Sequence, residues 1–186
     1  MKHNNLYWAN LLTMIRIAFI PLVMIFMFIP VKWAAWTALI LFAIAVLTDF
    51  LDGWVARVAN QVSPLGRFLD PIADKLLIAA VLFCFMATDR IDYWTILPAL
   101  AILLREMFVS GLREFLAEIQ VKLPVTRLAK WKTTFQMIAM GFLIMGDYSP
   151  VWIPSFIIGS ILLWGAAIVT LITGWDYMKH SLKHIL

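Results

Sequence analysis

Long apolar segments dominate this sequence and constrain its fold more than any other feature. A helix of about twenty predominantly apolar residues crosses the hydrocarbon core of a bilayer. Only 14% of the 186 residues are charged, whereas soluble domains contain about a quarter. We therefore predict an all-α polytopic membrane protein with a single domain over residues 1–186. The six predicted transmembrane helices are Leu11–Ile29, Trp33–Thr48, Ile72–Ala87, Tyr93–Leu112, Leu128–Met145 and Trp152–Gly174.

The lysines and arginines are distributed unevenly between the two sides that these segments define. If the N-terminus is cytoplasmic, thirteen of the fifteen cations fall on the cytoplasmic side, and only Lys32 and Arg90 fall on the other. This bias has the direction of the positive-inside rule. The sequence therefore predicts that both termini are cytoplasmic.

Four aspartates lie within twenty-six residues, at the junction of the second and third predicted segments. Asp49 and Asp52 are three residues apart on a helix that we expect to continue to about residue 60, and Asp70 and Asp74 are four residues apart at the start of the next helix. Each pair therefore shares a helix face. The turn-rich residues 60–66 can fold the two helices back on each other. We expect the four carboxylates to converge at the cytoplasmic edge of the bundle.

Bare carboxylates are costly in such a place, at about 2.5–3.5 kcal/mol for each Asp at full membrane depth. Two divalent cations would balance four negative charges, and ligands that are all oxygen favour Mg²⁺ or Mn²⁺ over zinc. Ordinary ion pairs with Arg57, Arg67 and Lys75 are one alternative. A proton or cation pathway is another, because acids inside a membrane often mark such routes.

The spacing of the acidic stretch resembles the signature of the CDP-alcohol phosphatidyltransferase family, in which a CDP-linked lipid donates its phosphatidyl group to an alcohol and CMP leaves. All eight fixed positions of that signature are present, with an eight-residue gap between Arg57 and Gly66. These positions are Asp49, Asp52, Gly53, Ala56, Arg57, Gly66, Asp70 and Asp74. The resemblance extends to the six-helix layout, and it implies an active site at the cytoplasmic edge of a bacterial-type inner membrane protein.

The resemblance also implies a role for each residue of the signature. The metal ligands would be Asp49, Asp52, Asp70 and Asp74, with Asp74 also acting as the general base. The residues expected to contact the CDP portion are Gly53, Ala56, Arg57, Gly66 and Thr13, with further polar contacts from Asn10 and Arg16. Small residues permit close approach of the nucleotide, and a guanidinium can pair with its diphosphate.

Basic residues on the fourth and fifth predicted helices indicate the kind of acceptor. Arg105 and Arg113 lie within an otherwise apolar run, and Lys130 and Lys132 open the next helix. Such a cluster suits a phosphorylated acceptor, although the lysines also fit ordinary positive-inside flanking or contact with anionic lipid headgroups.

These two segments, together with residues 10–17 and 70–77, resemble the glycerol-3-phosphate branch of the family. That resemblance implies CDP-diacylglycerol and sn-glycerol 3-phosphate as substrates, membrane lipids but no nucleic acid as partners, and a homodimer. Two alternatives stay open. One is a family member with inositol phosphate, serine or phosphatidylglycerol as acceptor, and the other is an acid-lined cation or proton transporter.

Overall fold

The computed structural model describes residues 2–59, 64–121 and 127–185, with side chains for 13–49, 66, 68–121 and 131–181. The described chain is helical and contains no strand. Its helices are α1 (Lys2–Phe28), α2 (Lys32–Ala59), α3 (Pro64–Ala87), α4 (Tyr93–Glu118), α5 (Arg127–Met145) and α6 (Ser155–Ile185), with one 3₁₀ turn at Gly146–Tyr148.

The all-α class is confirmed, and each predicted segment corresponds to a long helix. Three helices contain stretches long and apolar enough to span a bilayer, at Lys32–Asp49, Tyr93–Glu118 and Ser155–Ser181, and a shorter apolar stretch covers Thr13–Phe28. The extension of α2 beyond Asp49 is also confirmed, as far as Ala59. The chain is thus a helical protein with three candidate membrane spans in its described part.

The predicted turn between the two aspartate pairs is too long. Residues 64–66 are already helical, because α3 begins at Pro64, and residues 60–63 lie outside the described chain. Proline fits the first position of a helix, where its missing N–H would have no partner within the helix. Asp70 therefore lies in the second turn of α3, and not at its start.

The described chain divides into two compact units. The first lies within residues 1–88 and 144–150, and the second within residues 89–143 and 151–186. In the first unit, α1 packs against both α2 and α3. The face of α2 that is buried carries mainly small residues, Ala34, Ala38 and Ala45, with Phe42 between them. Small residues let helix backbones approach closely, which is a common way to pack helices where lipid removes the hydrophobic driving force.

In the second unit, α4 packs against α6. The first turn of α4 is capped by Asp92, whose carboxylate accepts a hydrogen bond from the Thr95 backbone N–H at 2.8 Å. A close contact also joins α5 to α6 at Gly159. A Cβ atom built there would lie 2.7 Å from Leu143 Cγ and 3.2 Å from the Ala139 carbonyl oxygen. The absence of a side chain at Gly159 is therefore what lets the two helices pack at this distance.

Large apolar side chains cover the outward faces of the candidate spans. Ile40, Ile44 and Leu47 are exposed on α2, and Ile161 and Ile168 are exposed on α6. Several charged or polar side chains are buried instead, including those of Arg16, Arg105 and Lys132. Apolar residues outside with ionisable residues inside is the arrangement expected of helices that face lipid.

The contact at Gly159 predicts a difference between two glycine substitutions on α6. Gly159→Ala should lower the free energy of unfolding by about 1–3 kcal/mol, because the added methyl group overpacks the contact with α5. Gly165→Ala is the matched control, since nothing lies within 4 Å of a Cβ built at Gly165. The control should be neutral or slightly stabilising. Thermal unfolding of the detergent-purified variants measures both, and equal midpoints would contradict the close packing.

Candidate functional site

A buried arginine joins two of the predicted metal ligands. Arg16 lies on α1 and its side chain is fully buried. Its Nη1 atom lies 2.7 Å from Asp49 Oδ1 on α2 and donates a hydrogen bond of 3.0 Å to Asp74 Oδ1 on α3. One guanidinium nitrogen therefore brings carboxylate oxygens from two helices together. The carboxylate side chains remain 44% and 43% exposed, so both groups are accessible to a ligand.

Asp70 is the third aspartate of the signature whose side chain is described, and it is bound by a residue of α1 that lies one turn away from Arg16. Thr13 donates its hydroxyl hydrogen to Asp70 Oδ1 at 2.6 Å. The negative charges of Asp49 and Asp70 both act on the Asp74 carboxyl group. We call this set, Thr13, Arg16, Asp49, Asp70 and Asp74, the carboxylate site. Asp49 and Asp70 are close enough to repel Asp74, and Arg16 supplies a compensating positive charge.

The chemistry of these donors fits a hard divalent cation. Every acid in the carboxylate site offers carboxylate oxygens, which Mg²⁺ and Mn²⁺ prefer as ligands. Hydrogen bonds from Thr13 and Arg16 orient these carboxylates in the way that outer-shell partners orient metal ligands. The described residues alone do not include a group of three or more acids, histidines or cysteines with the geometry of a metal site. The side chain of the fourth predicted ligand, Asp52, lies outside the described residues.

The residues predicted to contact CDP are described to different extents. Thr13 is buried and belongs to the carboxylate site. Gly66 is buried in the first turn of α3. Gly53, Ala56 and Arg57 lie in the C-terminal part of α2, where only the backbone is described, and the side chain of Asn10 in α1 is also outside the described residues.

A second charged group lies in the second unit, and it contains two of the predicted acceptor residues. Glu106 Oε1 on α4 accepts a hydrogen bond from Arg105 Nη1 at 3.2 Å and another from Lys132 Nζ on α5. The side chains of Arg105 and Lys132 are 8% and 5% exposed. We call Arg105, Glu106 and Lys132 the basic cluster. It carries two cations and one anion, so it has a net positive charge.

Contacts with α6 fix the direction of Arg105. Its Nη2 atom donates a hydrogen bond of 2.9 Å to Thr173 Oγ1, and its Cζ atom lies 5.8 Å from the centre of the Tyr177 ring. The side chain also passes over Gly174, where a Cβ atom would lie 3.0 Å from Arg105 Cγ. The guanidinium is therefore held by a hydroxyl, an aromatic face and a carboxylate.

The other two predicted acceptor residues are not part of this cluster as described. Arg113 is exposed and lies eight residues after Arg105 on α4, roughly 12 Å further along the helix axis. The side chain of Lys130 lies outside the described residues.

Sequence reasoning missed two features of these sites. Arg57, Arg67 and Lys75 are the ion-pair partners that the sequence suggests for the aspartates. The side chains of Arg57 and Arg67 lie outside the described residues, and the described partner of Asp49 and Asp74 is Arg16. Sequence reasoning also did not single out Glu106. The available signal was the single acid beside Arg105 in an apolar run, because buried cations require a compensating anion.

The chain is similar to a known protein family. The family model described as CDP-alcohol phosphatidyltransferase matches residues 6–172. The chain belongs to the CDP-alcohol phosphatidyltransferase family. All residues of the carboxylate site and the basic cluster fall within the matched range.

Curated relatives within the family are similar over nearly their whole length. A protein from Rickettsia felis is 45% identical over 175 residues, which cover 94% of this chain and 95% of the relative. Relatives from Cereibacter sphaeroides and Shigella flexneri are 37% and 34% identical, and each alignment covers 95% of this chain and 96% of the relative. All three are named CDP-diacylglycerol–glycerol-3-phosphate 3-phosphatidyltransferase.

Arg16 on α1 contacts Asp74 on α3, so we expect the effects of substituting these two residues on stability to be coupled. Arg16→Gln should lower the free energy of unfolding by about 1–3 kcal/mol, less than the loss of a partner from a fully buried ion pair, because the carboxylates are partly exposed. In an Asp74→Asn background the same substitution should cost less, since one of the repelling charges is gone.

Thermal unfolding of the two single variants and the double variant in chelator-containing detergent buffer measures this coupling. The exposed Arg113→Gln is the control for loss of a positive charge and should leave the midpoint unchanged. Strictly additive effects of the Arg16 and Asp74 substitutions would mean that the contact contributes nothing to stability.

Proposed function

We propose that this chain transfers the phosphatidyl group of CDP-diacylglycerol to sn-glycerol 3-phosphate, giving phosphatidylglycerol phosphate and CMP. The observation that carries this proposal is the set of curated relatives named for that reaction, which are 34–45% identical over more than nine-tenths of the chain. Two local features support it. The carboxylate site has the donor chemistry for divalent cations, and the basic cluster has the charge for a phosphorylated acceptor.

The metal-binding residues in this proposal are the four aspartates of the signature, Asp49, Asp52, Asp70 and Asp74. Divalent cations held there would polarise the reacting phosphorus and neutralise the departing CMP. Thr13 and Arg16 keep the carboxylates of Asp49, Asp70 and Asp74 oriented for this task through the hydrogen bonds described above. The proposed metal is Mg²⁺ or Mn²⁺, since side-chain ligands that are all oxygen favour these ions over zinc.

The proton of the acceptor hydroxyl goes to Asp74 as this hydroxyl attacks phosphorus. General-base help of this kind ordinarily contributes about 10²–10⁴-fold to the rate. Asp74 suits the role because its carboxylate is partly exposed, while Arg16 fixes its direction. The remaining residues of the signature bind the CDP portion, namely Gly53, Ala56, Arg57 and Gly66, together with Thr13.

The acceptor phosphate binds Arg105, Arg113, Lys130 and Lys132 in this proposal. Support comes from the burial of Arg105 and Lys132, which both lie beside the same carboxylate oxygen of Glu106. Two buried cations together are costly unless anions compensate them. A phosphorylated acceptor supplies such an anion, whereas choline or ethanolamine does not.

We also propose the placement of the enzyme in a membrane. The protein would span a bacterial-type inner membrane six times, with both termini and the active site on the cytoplasmic side, and it would act as a homodimer. The six long helices, the three candidate spans and the positive-inside bias support the topology. The homodimer rests on family resemblance.

Acceptor selection tests the proposed reaction directly. Purified protein with CDP-diacylglycerol should release CMP with sn-glycerol 3-phosphate, and far more slowly with inositol phosphate, serine or phosphatidylglycerol. A chelator should abolish the release, and added Mg²⁺ or Mn²⁺ should restore it. A panel in which another alcohol works while glycerol 3-phosphate is inert would overturn the branch assignment. Cation flux in liposomes without CMP release would favour a transporter instead.

The role of Asp74 predicts a specific defect. Asp74→Asn should reduce turnover by at least about 10²-fold, because the amide keeps an oxygen ligand but cannot accept the proton. Binding of CDP-diacylglycerol should weaken much less. Asp147→Asn, an exposed substitution in the 3₁₀ turn, is the matched control and should keep wild-type turnover. Full activity of the Asp74→Asn variant would reject the assignment of the base.

A further inference from the structure

Glu106 is the only acid in the basic cluster, and its position is unusual for a site that would bind an anion. A single oxygen, Oε1, accepts hydrogen bonds from Arg105 Nη1 and Lys132 Nζ, so one carboxylate connects α4 to α5. The Glu106 side chain is itself only 20% exposed. A carboxylate here either competes with a phosphate for the two cations or holds the cations ready for it.

The two cations depend on Glu106 to different degrees. Arg105 is also held from α6 by Thr173 and by the ring of Tyr177. Its Nε atom is buried, and within the described chain it has no hydrogen-bond partner. Lys132 has a flexible stem, and the contact that the structure shows for its ammonium group is with Glu106. Loss of Glu106 would therefore release Lys132 far more than Arg105.

Electrostatics argue for the holding role. Without an anion between them, an ammonium and a guanidinium with low exposure repel each other across a medium of low dielectric constant. Glu106 removes that repulsion and leaves the cluster with a net positive charge. Only one of the three ammonium hydrogens of Lys132 is needed for the contact with Glu106, so the others remain available as donors. A binding site whose donors are already oriented loses less conformational freedom when the ligand arrives.

We propose, resting on the function given above, that Glu106 is a positioning residue for the acceptor: it holds Lys132 beside Arg105 so that both can bind the phosphate of sn-glycerol 3-phosphate. Glu106 does not touch the substrate in this arrangement. Its effect reaches the reaction through the two cations. The alternative, in which Glu106 competes with the phosphate, predicts a change of the opposite sign when the carboxylate is removed.

The test compares Glu106→Ala and Glu106→Gln with wild type in CMP release and in calorimetric binding of sn-glycerol 3-phosphate. Glu106→Ala should raise KM for the acceptor about tenfold, the size of one lost charge-assisted interaction. Glu106→Gln keeps an oxygen for Lys132 and should raise it less. KM for CDP-diacylglycerol should stay unchanged, and kcat at saturating acceptor should stay within about twofold. Glu118→Gln, an exposed acid on the same helix, is the matched control.

Several results would overturn the positioning role. One is an unchanged or lowered KM for the acceptor. Another is an equal change in both KM values together with a loss of kcat, because this result indicates a purely structural residue. If Glu106→Ala does not fold, Glu106→Gln decides by the same criteria. The calorimetry separates this inference from the proposed reaction. Wild type that binds glycerol 3-phosphate but releases no CMP would refute the reaction, while weaker binding by the variants would still support Glu106. Wild type that does not bind the acceptor would refute both.

Discussion

The first unit depends on one ion-paired arginine. Arg16 has no exposed surface, and a charge removed from water is tolerated only where opposite charges and hydrogen bonds compensate for the lost hydration. Asp49 and Asp74 provide that compensation from two different helices. The same contact reduces the repulsion between the two acids. Arg16 and the aspartates therefore stabilise one another, and this mutual requirement ties α2 and α3 to α1.

The second unit also buries an arginine, and other groups compensate its charge. Arg105 lies within the candidate span Tyr93–Glu118, where an ionisable residue is costly unless it faces the interior of the protein. A hydroxyl from Thr173, the ring of Tyr177 and the carboxylate of Glu106 surround it, and Gly174 leaves room for its stem. In both units the polar contacts lie inside and apolar side chains face outward. In the described residues, each of these two buried arginines therefore lies beside at least one carboxylate.

Sequence patterns predicted the local features of this protein better than its long-range contacts. Apolar segment length predicts the helices, and the spacing of Asp70 and Asp74 places them on one face of α3, because helical periodicity is a local property. The start of α3 was predicted too late, since Pro64 and Gly66 indicate a turn as readily as a first helical turn. The pairing of Arg16 with Asp74 joins residues 58 positions apart. No periodicity within a helix can indicate which distant partner a buried charge will find.

The pairing also bears on the choice between an enzyme and a cation pathway. An ion route needs acids that exchange their cation with little hindrance, whereas Asp49 and Asp74 contact a fixed guanidinium of α1. That guanidinium repels a cation that approaches alone, but it attracts an anion such as a diphosphate. A dication that binds together with an anionic substrate would keep the local charge balanced, because the negative charge of the substrate offsets the positive charges of the dication and of Arg16. These contacts therefore favour the proposed binding of metal and diphosphate together over the passage of single ions.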